Sequence, residues 1–124
     1  MIYLASPYAN NDPSVREYNY RQTCRAVVHL LQNQCVVFSP VVHMHALVAY
    51  GLPTGWNFWQ RIDREFLKRC DEVVVLKLPG WRFSRGVVAQ LQFAQLLCKP
   101  IGYLTEDAIE SVATLAPGTP EVPR

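Results

Sequence analysis

Residues 72–78 read EVVVLKL, and the unbroken β-branched centre of that run lacks the in–out alternation of a strand with one wet face. Such a strand needs cover on both sides, and that requirement restricts the chain more than any other feature. Three further segments are strand-like: MIYLA at 1–5, ending at Ser6-Pro7; CVVFS at 35–39, stopped by Pro40; and PIGYL at 100–104. Helical patterns separate them. Ser14-x-x-Glu17 has the form of a capping box, opening a helix to about Gln32 with Val15, Tyr18, Val27, Val28 and Leu31 on its apolar face. Trp59, Ile62, Phe66, Leu67 and Cys70 share one face of a helix over 56–70. Ser84 caps another running to about Leu97, beyond a turn at Pro79-Gly80-Trp81. Residues 41–55 are ambiguous, with room for a short helix through Tyr50 ended by Gly51 and Pro53. A short helix is expected after Thr105. Strands alternating with helices predict an α/β protein: a doubly wound parallel sheet of about four or five strands with helices on both faces.

The 124 residues make one domain, expected over 1–115, with a Pro-rich mobile tail at 116–124. Half the residues are hydrophobic and 18% are charged, a globular composition. A net charge of +2 with scattered Lys and Arg gives no footprint for nucleic acid or an acidic membrane. No apolar run reaches the ~20 residues that span a bilayer, and no signal peptide is expected. Cys24, Cys35, Cys70 and Cys98 lack metal-ligand spacing and read as small buried hydrophobes of a cytoplasmic protein.

Doubly wound sheets bind ligands beyond the carboxyl ends of their strands, here Ser6-Pro7-Tyr8, Ser39-Pro40-Val41 and Leu78-Pro79-Gly80. Asp63 is the strongest chemical candidate. Projected at about 100° per residue, it falls within the apolar Trp59/Ile62/Phe66/Cys70 face, where a carboxylate must be paired, hydrogen-bonded or protonated. It is either a structural salt bridge or cap, or a carboxyl group facing the crevice. Asp71 reads as a structural residue at the strand entry. Gln90 lies at the edge of the Val87/Leu91/Ala94/Cys98 stripe. His43 and His45 would share a face in extended chain, but no third ligand is spaced to complete a metal site, and a loop or substrate-contact role fits better. Trp56 and Trp59 read as core or subunit contacts; Trp81, beside Ser84, is the tryptophan placed to touch a ligand. Ser84, Arg85 and Gly86 at a helix N-terminus form a candidate anion site, with a plain N-cap serine as the alternative.

The ordered motifs YLASPY, FSP, CDEVVVLKLPGW, SRGV and KPIGYL, spread over residues 1–104, resemble the nucleoside 2-deoxyribosyltransferase family, closest to its small branch of unassigned function. The resemblance implies a Rossmann-type three-layer fold, a nucleoside or nucleotide ligand, no cofactor or metal, and at least a homodimer. In that family a helical Glu attacks the sugar carbon, and the matching position here is Gln90. Ser84, six residues earlier, matches the serine of the branch that hydrolyses deoxynucleoside 5′-monophosphates. The resemblance also implies that Asp63 contacts the base or assists its departure. Tyr3 would touch nucleophile and sugar, Tyr8 would pack on the base, and Ser6 would line the crevice.

A neutral amide cannot form a glycosyl ester. Three routes remain open: water attack assisted by Asp63, another carboxylate reaching the site, or binding without turnover. Glu65 projects on the wrong helix face for the second. The chain is accordingly read as an N-glycosidic hydrolase or transferase, or as a nucleotide-binding protein on a disarmed scaffold.

Overall fold

A computed structural model describes residues 1–112, so the Pro-rich segment 116–124 lies outside the described residues. Strand β1 (Ile2–Ala5) leads into helix α1 (Pro13–Gln32), followed by β2 (Val37–Phe38), α2 (Pro40–Val48), α3 (Trp56–Arg69), β3 (Glu72–Leu76), α4 (Arg85–Leu96) and β4 (Ile101–Leu104). Short 3₁₀ turns occupy Trp81–Phe83 and Glu106–Ile109. All four strands are parallel, in the order β2-β1-β3-β4, with Tyr3 opposite both Phe38 and Val73. The fold is therefore a three-layer, Rossmann-like α/β sheet, as the buried EVVVL run requires. No helix among the described residues is long and apolar enough to cross a membrane.

Alternation along β1 and β3 divides the core. Tyr3, Ala5, Val73 and Val75 face α3 and α4, packing on Leu67, Val87 and Ala94. Ile2, Leu4 and Leu76 face α1 and the last 3₁₀ turn, packing on Ala26, Leu30 and Ile109. Arg25 pins that turn, donating from its guanidinium to the carbonyls of Ile109, Glu110 and Val112 at 2.8–3.1 Å.

Helix α1 departs from its expected face. Asn19, Thr23, Ala26 and Leu30 are buried, whereas Tyr18, Val28 and Leu31 are exposed. The buried row is short-chained and polar in its first half because a hydrogen bond holds it to the sheet end. Thr23 Oγ1 lies 3.1 Å from Ser6 Oγ and 2.6 Å from the Asn19 carbonyl oxygen. The capping box is also displaced. Asp12 is the N-cap, with Pro13 in the first turn, and the Ser14 amide and hydroxyl both donate to Asp12 Oδ1 at 2.9 and 2.8 Å. Proline fits the first helical position because its missing N–H has no partner there. Glu17 is thereby left for other contacts.

Strand pairing in β2 is shorter than the CVVFS run. The ambiguous segment after it resolves as α2, whose N-cap Ser39 accepts from the Val42 amide at 3.1 Å; Gly51, at φ 98°, follows the helix. Strand β3 stops at Leu76, though Leu78 is fully buried beyond it. The thiols are not uniformly buried: Cys70 is, Cys24 and Cys35 are half-buried, and Cys98 is exposed at φ 54° in the turn after α4.

Because Asp12 rather than Ser14 accepts the first-turn amide, Asp12→Ala should lower the Tm by several degrees in a thermal melt and Ser14→Ala by clearly less.

Candidate functional site

The strand order reverses between β1 and β3, which opens a crevice at their carboxyl ends. A cavity of about 340 Å³ lies there, near the lower end of the roughly 300–1,000 Å³ typical of ligand sites. Ser6 and Tyr8 reach it from the loop after β1, Met44 from α2, Asp63 from α3, and Ser84 and Gln90 from the α4 region.

Asp63 sits between Trp59 and Leu67 on the buried face of α3 and is only 4% exposed. It has no ion-pair partner among the described residues, so the salt-bridge reading of this residue does not hold. Desolvation pushes its carboxyl pKa up to about 7, with partial opposition from the Gln90 amide. Near neutrality the group therefore exchanges its proton readily, the condition for acid–base work.

Gln90 is not at the margin of its helix stripe. It is 5% exposed, in the centre of a buried row with Val87 and Ala94. Its Oε1 and the Tyr3 hydroxyl are both buried and lack a hydrogen-bond partner among the described residues. Burial raises the Tyr3 pKa well above its ordinary value and the Asp63 charge adds to this, while Gln90 opposes it. Tyr3 is wholly buried, packs on Phe38 and does not form part of the cavity wall. Asp63 and Gln90 thus line the cavity from two elements, with the Tyr3 hydroxyl buried behind them, and two buried polar atoms, Gln90 Oε1 and Tyr3 Oη, keep unused hydrogen-bonding capacity. A buried group left in that state is costly unless a ligand or water completes it.

Ser84 Oγ accepts from the Val87 amide at 3.3 Å and caps α4, so the N-cap reading stands on geometry; the same residue also lines the cavity. Arg85 and Gly86 line it too. The Arg85 guanidinium donates to Asn57 Oδ1 at 2.8 Å, a neutral partner, and has no ion-pair partner among the described residues, beside the positive end of a helix dipole.

His43 lies outside the cavity wall. It is exposed on α2 and its ring is about 6 Å from those of Phe38 and Phe66. Because residues 40–48 are helical rather than extended, His43 and His45 cannot share a face. His45 instead bonds Tyr8 at 2.8 Å. Trp81 packs on the core and on Tyr103 rather than on the cavity, while Trp56 and Trp59 do line it. The Trp59 indole N–H donates to the Pro53 carbonyl at 2.6 Å and so fixes the loop before α3. Glu65 is exposed and bound to Lys68 and Arg69, away from the cavity.

A carboxyl with a pKa raised on folding contributes stability that is fully present below its unfolded pKa and lost as pH rises through about 7. Compared by urea unfolding, the wild type should therefore lose stability relative to Asp63→Asn between pH 5 and pH 8, by about 3 kcal/mol at most. A difference independent of pH would contradict the raised pKa.

No curated protein matches the chain. Residues 1–106 match the sequence model of the family described as a domain of unknown function (DUF1937), and the chain belongs to that family.

Proposed function

We propose that this protein takes a nucleoside or nucleoside 5′-monophosphate in the cavity above β1 and β3 and cleaves its N-glycosidic bond. The observation that carries the reading is Asp63, a carboxyl of pKa about 7 held in a ligand-sized cavity beside the unpartnered polar groups of Tyr3 and Gln90. Breaking a C1′–N bond leaves an electron pair on the base, and a protonated carboxyl at that nitrogen lowers the barrier by neutralising it. Ser84, Arg85 and the amides opening α4 supply the chemistry for a 5′-phosphate. The resemblance of the YLASPY-to-KPIGYL motifs to those of nucleoside 2-deoxyribosyltransferases supports the same substrate class. Phe83, 91% exposed at the cavity lip, is a surface that a second copy of the chain would cover in the homodimer this reading entails.

A second reading rests on one specific observation. The buried α4 position that faces Asp63 carries an amide where catalysis through a glycosyl ester needs a carboxylate. On that reading the cavity holds the ligand and performs no chemistry.

The two separate in a free-base release assay over a panel of deoxynucleosides and their 5′-monophosphates. The catalytic reading predicts release by the wild type that falls about tenfold per pH unit above pH 7, as the acid is lost. It also predicts a loss of roughly 10²–10⁴-fold in Asp63→Asn. Silence in the wild type, with release gained in Gln90→Glu, would establish the binding-only reading instead.

A further inference from the structure

Tyr8, His45 and Glu17 come from three separate elements and are joined end to end. Tyr8 Oη lies 2.8 Å from His45 Nδ1, and His45 Nε2 lies 3.2 Å from Glu17 Oε2. The other carboxylate oxygen of Glu17 accepts from Arg21 Nε at 2.9 Å, so each oxygen has its own donor. Tyr20 stacks on the imidazole with ring centroids 3.8 Å apart and planes 14° from parallel, fixing its orientation. With Nε2–H donating to Glu17, the neutral imidazole presents the Nδ1 lone pair to the Tyr8 hydroxyl. Hydroxyl, imidazole and carboxylate in that order form the arrangement that activates a nucleophile in hydrolytic triads.

Of these three residues, Tyr8 alone lines the cavity. Tyr8 is 5% exposed and forms part of its wall, whereas His45 and Glu17 lead outward towards solvent. Position 90 carries an amide rather than a carboxylate, so under the catalytic reading a side chain other than residue 90, or water, is the attacking group.

We propose that Tyr8 is a base-activated nucleophile of the cavity, with His45 as its base and Glu17 as the group that orients His45. For its electrophile, the sugar C1′, the inference rests on the nucleoside reading; the activation of Tyr8 does not. As the Tyr8 Oη–C1′ bond forms, the phenolic proton passes to His45 Nδ1. The C1′–N bond breaks, and its electron pair leaves with the base, which takes the Asp63 proton. Water then attacks C1′ and gives a proton to the Asp63 carboxylate. Tyr8 departs as phenolate and recovers its proton from His45, so every group returns to its starting state. Glycoside cleavage through a tyrosine nucleophile is established chemistry in other folds. Burial holds the Tyr8 pKa above its ordinary value, opposed by Arg16 and reinforced by Glu17. No phenolate is stored, and the base must remove the proton as the bond forms.

Small sulfonyl fluorides test the activation without a substrate. The phenolic oxygen attacks sulfur, the S–F bond breaks, fluoride leaves and His45 takes the proton. With methanesulfonyl fluoride and peptide mapping by mass spectrometry, Tyr8 should be labelled faster than Tyr50, which is 89% exposed and serves as the internal reference. His45→Gln should slow Tyr8 labelling roughly a hundredfold and Glu17→Gln by a smaller factor, with Tyr50 labelling unchanged and the protein still folded in a thermal melt. Labelling of Tyr8 no faster than Tyr50, or unaffected by His45→Gln, would overturn the proposal, as would base release that survives Tyr8→Phe. Absent base release in a protein whose Tyr8 still labels would count against the nucleoside reading alone.

Discussion

Burial of the Asp63 carboxyl with no cation beside it among the described residues is the constraint around which the rest of this molecule is arranged. A charge removed from water and left uncompensated is costly, and here the cost is limited by protonation near neutrality rather than by an ion pair. The surrounding fold makes that burial unavoidable. Trp59 and Leu67 place Asp63 in the middle of the only strongly apolar face of α3, and that face packs on Tyr3, Val73 and Val75 of the central strands. Moving Asp63 into solvent would mean turning the helix and exposing those core contacts.

The cavity walls differ in chemistry. The Asp63 and Gln90 wall, backed by the buried Tyr3 hydroxyl, is desolvated and short of hydrogen-bond partners among the described residues. Tyr8 belongs to a chain of paired groups that runs through His45 and Glu17 to the surface. The α4 N-terminus, with Ser84 and Arg85, adds a site of positive potential.

Much of this was legible in the sequence, because the features concerned follow from periodicity. The apolar EVVVL run required a covered parallel strand, and the α3 face located Asp63 by its helical angle alone. Burial of Gln90 was less accessible: glutamine next to an apolar stripe looks like a boundary residue until the packing of α3 against α4 is known. Residues Asn19 and Thr23 of α1 defeated the apolar pattern because the helix approaches the sheet end through a Thr23–Ser6 hydrogen bond rather than through large side chains. The importance of His45 over His43 depended on whether 40–48 is helix or extended chain, and Pro40 together with the Ser39 cap decided that in favour of helix. Partners 37 residues apart, such as Tyr8 and His45, leave no local trace at all.

The measurement closest to the central claim is a pH titration of the Asp63 carboxyl by ¹³C NMR, using ¹³C-aspartate-labelled protein and Asp63→Asn to assign the resonance. The account predicts a midpoint near 7 for this carbon. A midpoint near the ordinary aspartate value of about 4 would mean that Asp63 is solvated or paired in solution, and the cavity would lose its acid.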